Sequence, residues 1–81
     1  MIRLTLYGRA DCPLCEEMRA AVEAVAREVP LALEEVDVDG DAALVAAYGD
    51  RVPVLCVNGR QAFAVRVDPR ELRARLAREP V

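Results

Sequence analysis

The sequence predicts an α/β fold, a four-stranded mixed sheet with helices on both faces in the order β-α-β-α-β-β-α. Three observations carry this. Apolar residues alternate at Ile2, Leu4 and Leu6, fall at helical spacing from Pro13 to about Val29, and alternate again over residues 31–38. That is a β-α-β unit, which requires parallel strands and a right-handed crossover. Asn58-Gly59 between two apolar runs marks a hairpin. Asp68-Pro69-Arg70-Glu71 supplies an N-cap, a proline at the first helical position and a glutamate at the third, opening a last helix.

Taken in order, residues 2–7 form the first strand and Gly8 to Asp11 a short loop. The first helix turns Leu14, Met18, Ala21, Val22, Val25 and Val29 inward, with Glu23 and Arg27 at i,i+4 spacing on its polar face. Pro30 ends it, because the residue before a proline is pushed out of the α region. A second strand covers 31–38, and Asp39-Gly40-Asp41 turns into a short helix at about 42–48 with Asp41 as N-cap. Its inward residues are expected to be Leu44, Val45 and Tyr48, and Gly49 stops it. Val52 to Val57 make a third strand opened by Pro53, and a type I′ turn at Asn58-Gly59 leads to a fourth at about 61–66. Leu72 and Leu76 give the last helix its apolar edge, while Arg73, Arg75 and Arg78 lie toward its C-terminal end as a solvated face.

Eighty-one residues are read as one domain, 1–81, without room for a second core. Composition narrows the function. The formal charge of −3 gives no support for nucleic-acid binding, and no apolar run is long enough to span a membrane. The N-terminus enters a strand pattern and not a secretory signal, so a cytoplasmic protein with reduced thiols is expected. All eleven basic residues are arginine, a bias expected of a GC-rich bacterial genome. There is no histidine, which removes Cys–His nucleophilic catalysis and every Cys/His zinc site.

The chemistry points to Cys12-Pro13-Leu14-Cys15, between a strand and a helix. C-x-x-C in that context reads as a dithiol redox site. The first N–H groups of a helix are unpaired and carry partial positive charge, which favours the thiolate that attacks disulfides. Asp11, Glu16 and Glu17 oppose that effect. One helical turn on, Cys15 can reach back to resolve a mixed disulfide. Pro13 needs no N–H in the first turn. Two thiolates are also half of a tetrahedral site, so a zinc or iron–sulfur carrier bridged between two chains stays open. Cys56, between Leu55 and Val57, reads as a buried structural thiol. Glu34, Glu35 and Asp37 form a local acidic patch.

The stretches Tyr7-Gly8-Arg9-Ala10-Asp11-Cys12-Pro13-Leu14-Cys15, Val36-Asp37-Val38-Asp39, Tyr48-Gly49-Asp50-Arg51-Val52-Pro53 and Asn58-Gly59 resemble a glutaredoxin of the thioredoxin superfamily. The continuation Cys15-Glu16-Glu17 is most similar to the short bacterial glutaredoxin-like proteins. The resemblance implies a thioredoxin/glutaredoxin-like fold and thiol–disulfide oxidoreductase activity, with Cys12 as nucleophile and Cys15 as resolving thiol. It implies that Pro53 is a cis-proline facing the dithiol and that Val52 offers its backbone to an extended substrate. It places Arg9 near a substrate carboxylate, and Tyr7, Pro13 and Leu14 along the groove. Pro53 as the start of an edge strand, Arg9 as a solvated residue and Tyr7 as a plain strand residue are the structural alternatives.

The resemblance further implies no bound cofactor, with glutathione or a thioredoxin-reductase-type enzyme as reductant. The substrate would be a disulfide-containing protein or a glutathione mixed disulfide, and the chain a monomer. Departures are visible too. Leu14 stands where glutaredoxins carry Tyr or Phe, Arg51 where they carry threonine, and Val65-Arg66-Val67-Asp68 where a Gly-Gly pair helps to hold glutathione. A binding module that keeps the fold without turnover is the remaining alternative.

Overall fold

The computed structural model describes residues 1–80. Its elements are β1 (Ile2–Gly8), α1 (Pro13–Ala26), β2 (Leu31–Asp37), a 3-10 turn (Val38–Gly40), α2 (Ala42–Tyr48), β3 (Val54–Val57), β4 (Arg60–Ala64) and α3 (Pro69–Leu76). The sheet runs β2-β1-β3-β4. β1 pairs in parallel with β2, Ile2 opposite Leu31, and antiparallel with β3, Leu6 opposite Leu55. The predicted α/β order is therefore the observed one.

Strand alternation decides what each face carries. Ile2, Leu4 and Leu6 of β1 and Leu55 and Val57 of β3 are buried in one cluster with Met18, Val22 and Val25 of α1 and Leu72 and Leu76 of α3. That layer is the core, and each fully buried aliphatic side chain in it contributes about 1.5–3 kcal/mol. Arg73 of α3 pairs with Glu28 beyond α1 at 2.7 Å, so this arginine ties two elements together and is not merely solvated. Asn58 ties the same layer from below. Its side chain accepts the Arg3 N–H at 2.9 Å and donates to Glu79 at 2.8 Å.

The opposite face is thinly covered. α2 reaches it through Tyr48, whose ring stacks on Tyr7 with centroids 4.4 Å apart. No residue of α2 is buried, and Val45, expected inward, is 41% exposed. The reason is length. A seven-residue helix held by the Asp41 cap and by its last turn presents only half-buried Leu44 and Tyr48 to the body.

Several boundaries shift for local reasons. α1 ends at Ala26, not Val29, and the Glu28 and Val29 amides both donate to the Val25 carbonyl at 2.9 Å in a closing turn. The expected Glu23–Arg27 pair is not among the ion pairs of the described residues; Arg19 instead bridges Glu16 at 2.7 Å and Glu35 at 2.6 Å. β3 starts at Val54, because Val52-Pro53 lies outside the ladder. β4 carries a bulge: Leu55 faces Phe63 while Cys56 faces Gln61, leaving Ala62 as the extra residue. The strand then stops at Ala64, because Val65 swings out with φ +70°. Asn58 (φ +49°) and Gly59 (φ +86°) make the turn that their sequence predicted.

Candidate functional site

The site grows from the junction of β1 and α1. Asp11 adopts φ +54°, a left-handed conformation that Asp tolerates better than most residues, and so turns the chain from strand into helix. Cys12 is then the N-cap of α1 and Pro13 its first residue. The Cys15 N–H donates to Cys12 Sγ at 3.1 Å, so a sulfur does what a Ser or Asp oxygen does at other helix starts. The Cys12 carbonyl accepts the Glu16 N–H at 3.1 Å. Cys12 and Cys15 are joined as a disulfide, with Cα atoms 5.2 Å apart.

The two sulfurs are unequal. Cys12 is half-buried, whereas Cys15 is 3% exposed. Gly8 explains how Cys15 fits: a β-carbon there would lie 3.0 Å from Cys15 Sγ. The close approach needs glycine, and sequence reasoning missed it because Gly8 looks like an ordinary loop residue.

Arg9 follows directly. Its guanidinium donates to the Gly49 carbonyl and to Asp39, each at 3.1 Å, and its Nε is buried without a partner among the described residues. Arg9 thus clamps the loop before the dithiol to the 3-10 turn and to the end of α2. Gly8, Arg9 and Cys15 line a cleft of about 280 Å³ whose far wall is Glu35, Val36 and Asp37.

The Val52–Pro53 peptide, which leads into β3, is cis. The Pro53 side chain is buried and its carbonyl accepts the Val65 N–H at 2.7 Å. Val52 is half-buried, and its N–H and C=O have no backbone partner among the described residues. Leu14 lines a second cleft of about 320 Å³ with Val65 and Val67. Tyr7 is turned to the α2 face, under Tyr48, and Arg51 covers the Tyr48 ring at 6.0 Å from its centre. Burial, then the neighbouring Tyr48, pushes the Tyr7 phenol up.

Cys56 is 6% exposed on that same face, and burial pushes its thiol up, with Tyr48 partly offsetting this through a side-chain hydrogen bond. It is the buried thiol that the sequence predicted. Among the described residues no three His, Cys, Asp or Glu side chains gather to hold a metal ion, and no helix is long and apolar enough to cross a membrane.

Comparison with known proteins agrees with this geometry. The family model described as Glutaredoxin-like domain (DUF836) matches residues 3–77. The uncharacterized protein Rv0508 of Mycobacterium tuberculosis is 32% identical, the match covering 94% of this chain and 84% of that protein. The X-ray structure of the target protein XcR50 from X. campestris superposes with a TM-score of 0.80 at 46% identity, covering 95% of this chain and 99% of that one. Desulfothioredoxin from Desulfovibrio vulgaris Hildenborough, in its reduced form, gives a TM-score of 0.73 at 28% identity over 94% of this chain and 79% of its own. A β2-β1-β3-β4 sheet that presents a C-x-x-C pair at the start of α1, with a family match over nearly the whole length, leads to one assignment: the chain belongs to the glutaredoxin-like domain family and has a thioredoxin-like fold.

Proposed function

We propose that the chain is a dithiol thiol–disulfide oxidoreductase with Cys12 as nucleophile and Cys15 as resolving thiol. One observation carries this reading: Cys12 Sγ caps α1 and takes the Cys15 N–H at 3.1 Å. In the reduced protein the same N–H and the positive end of the helix favour the Cys12 thiolate. Arg19 draws the nearby Glu16 charge into an ion pair, which relieves part of the opposing field.

The thiolate attacks one sulfur of a substrate disulfide. The substrate S–S bond breaks, a Cys12–substrate bond forms, and the departing thiolate is protonated by solvent. Cys15, having lost its proton, then attacks Cys12 Sγ and releases the second substrate thiolate. Two electrons pass from the dithiol to the substrate, and the product is the Cys12–Cys15 disulfide seen here. A thiol reductant, either glutathione or a thioredoxin-reductase-type enzyme, returns it to the dithiol. The open Val52 backbone suits an extended substrate segment added beside it as a short strand. The reading carries with it a reducing bacterial cytoplasm as the working compartment and a monomer as the working unit.

The test is a redox titration in glutathione buffers, with acid quench and thiol alkylation read by mass. A two-electron couple between about −180 and −270 mV, the span of known oxidoreductases, is expected. Absence of a Cys12–Cys15 couple at any accessible poise would remove the mechanism.

A further inference from the structure

The second cleft adds a specificity. It runs between the start of α1 and the segment joining β4 to α3, and Leu14, inside the C-x-x-C motif, forms part of its wall. Its apolar lining is completed by Met18, Val65 and Val67. Val65 is 39% exposed, and its N–H donates to the Pro53 carbonyl at 2.7 Å, which ties this wall of the cleft to the residue after Val52.

The charges on the lining are unbalanced. Glu17, Asp68 and Glu71 face it against Arg66 alone. Asp68 and Glu71 are engaged in a reciprocal capping box, each side chain accepting the other's backbone N–H. Glu17 and Arg66 both lack a side-chain hydrogen bond or ion pair among the described residues, so Glu17 is the carboxylate free to meet a partner while the lining as a whole keeps its acidic excess. Glutathione brings a carboxylate at each end and a net negative charge into such a field. A polypeptide disulfide flanked by lysine or arginine brings the complementary charge, and its neighbouring side chains have an apolar lining to enter.

Resting on the dithiol reading above, we propose that the substrate is a disulfide on an extended polypeptide segment with an apolar side chain and basic flanks, favoured over glutathione disulfide. The apolar side chain lies between Leu14 and Val65, and the basic flank meets Glu17.

The experiment measures second-order rate constants of the reduced protein with four disulfides: a lysine-flanked peptide, its glutamate-flanked counterpart, oxidised glutathione and neutral bis(2-hydroxyethyl) disulfide. The lysine-flanked peptide is expected to react about tenfold faster than the glutamate-flanked one at low ionic strength, with the ratio shrinking as salt is added. Glu17→Lys should lower that ratio severalfold, and Glu17→Gln should fall between. Equal rates for the two peptides, or a faster reaction with oxidised glutathione, overturn the proposal while leaving the dithiol chemistry standing. No reaction with any disulfide, the neutral one included, overturns both.

Discussion

Gly8 and Cys15 are in such close contact that a single β-carbon on Gly8 would stand 3.0 Å from the Cys15 sulfur. Gly8→Ala therefore forces the buried sulfur, or the helix that carries it, to give by a few tenths of an ångström. Overpacking of this kind costs about 1–3 kcal/mol, readable as a lower urea midpoint. In the proposed mechanism the displaced atom is the resolving sulfur, so the mixed disulfide on Cys12 should also persist longer in a quench-flow trap. A variant with unchanged midpoint and unchanged resolution rate would show that the contact is relieved without consequence.

The inequality of the two thiols predicts different failures. In the proposed mechanism Cys12→Ser should abolish turnover, since the capping sulfur is the more exposed of the two. Cys15→Ser should instead hold substrate on Cys12 as a mixed disulfide that non-reducing mass spectrometry detects. Full activity of Cys15→Ser would indicate a monothiol route with external thiol as the resolving group.

Arg9 joins three separate pieces of chain, and the prediction follows from its partners. Asp39→Asn should cost about 0.2–1 kcal/mol, the range for an exposed ion pair. Arg9→Ala should cost more, because the Gly49 carbonyl loses a charged donor as well. Amide exchange in residues 42–48 should speed up in Arg9→Ala, since few buried contacts hold α2 otherwise. Unchanged exchange there would assign the hold on α2 to the Tyr7–Tyr48 stack alone.

Alkaline pH should destabilise the disulfide form, in which Cys12 and Cys15 carry no titrating proton. Burial raises both the Cys56 thiol and the Tyr7 phenol, so the folded state keeps these protons to higher pH than the unfolded chain. Their contribution is complete below the ordinary thiol value of about 8.5 and is lost as pH rises through the raised values. Urea midpoints measured from pH 7 upward should fall, and Cys56→Ala should flatten the earlier part of that fall. A Cys56→Ala profile parallel to the parent would assign the whole slope to other groups.

The parts of this structure that were legible in the sequence are those whose cause is local. Asn58-Gly59 must turn because both residues accept positive φ, and Asp68 with Glu71 must cap because the spacing of a helix start brings each to the other's N–H. Cys12 and Cys15 belong to the same class, one helical turn apart. What sequence could not show depends on distant partners. Arg9 reaches Asp39 and Gly49 across 30 and 40 residues, and nothing in Gly8 itself announces a sulfur above it. Val65 is the sharpest case, a β-branched residue at φ +70° where local preference argues for extended strand. Its bond to the Pro53 carbonyl and the bulge before it override that preference.

β2 lies at one margin of the sheet, with one side of its backbone paired to β1. A bare strand margin is a template on which a neighbouring copy can extend the ladder. Glu34, Glu35 and Asp37 put carboxylates along its second half, and Glu34 and Glu35 reach the two opposite faces. A second copy pairing there in parallel and in register would set Glu34 beside Glu34 and Asp37 beside Asp37. The acidic half of β2 therefore disfavours that mode of edge pairing.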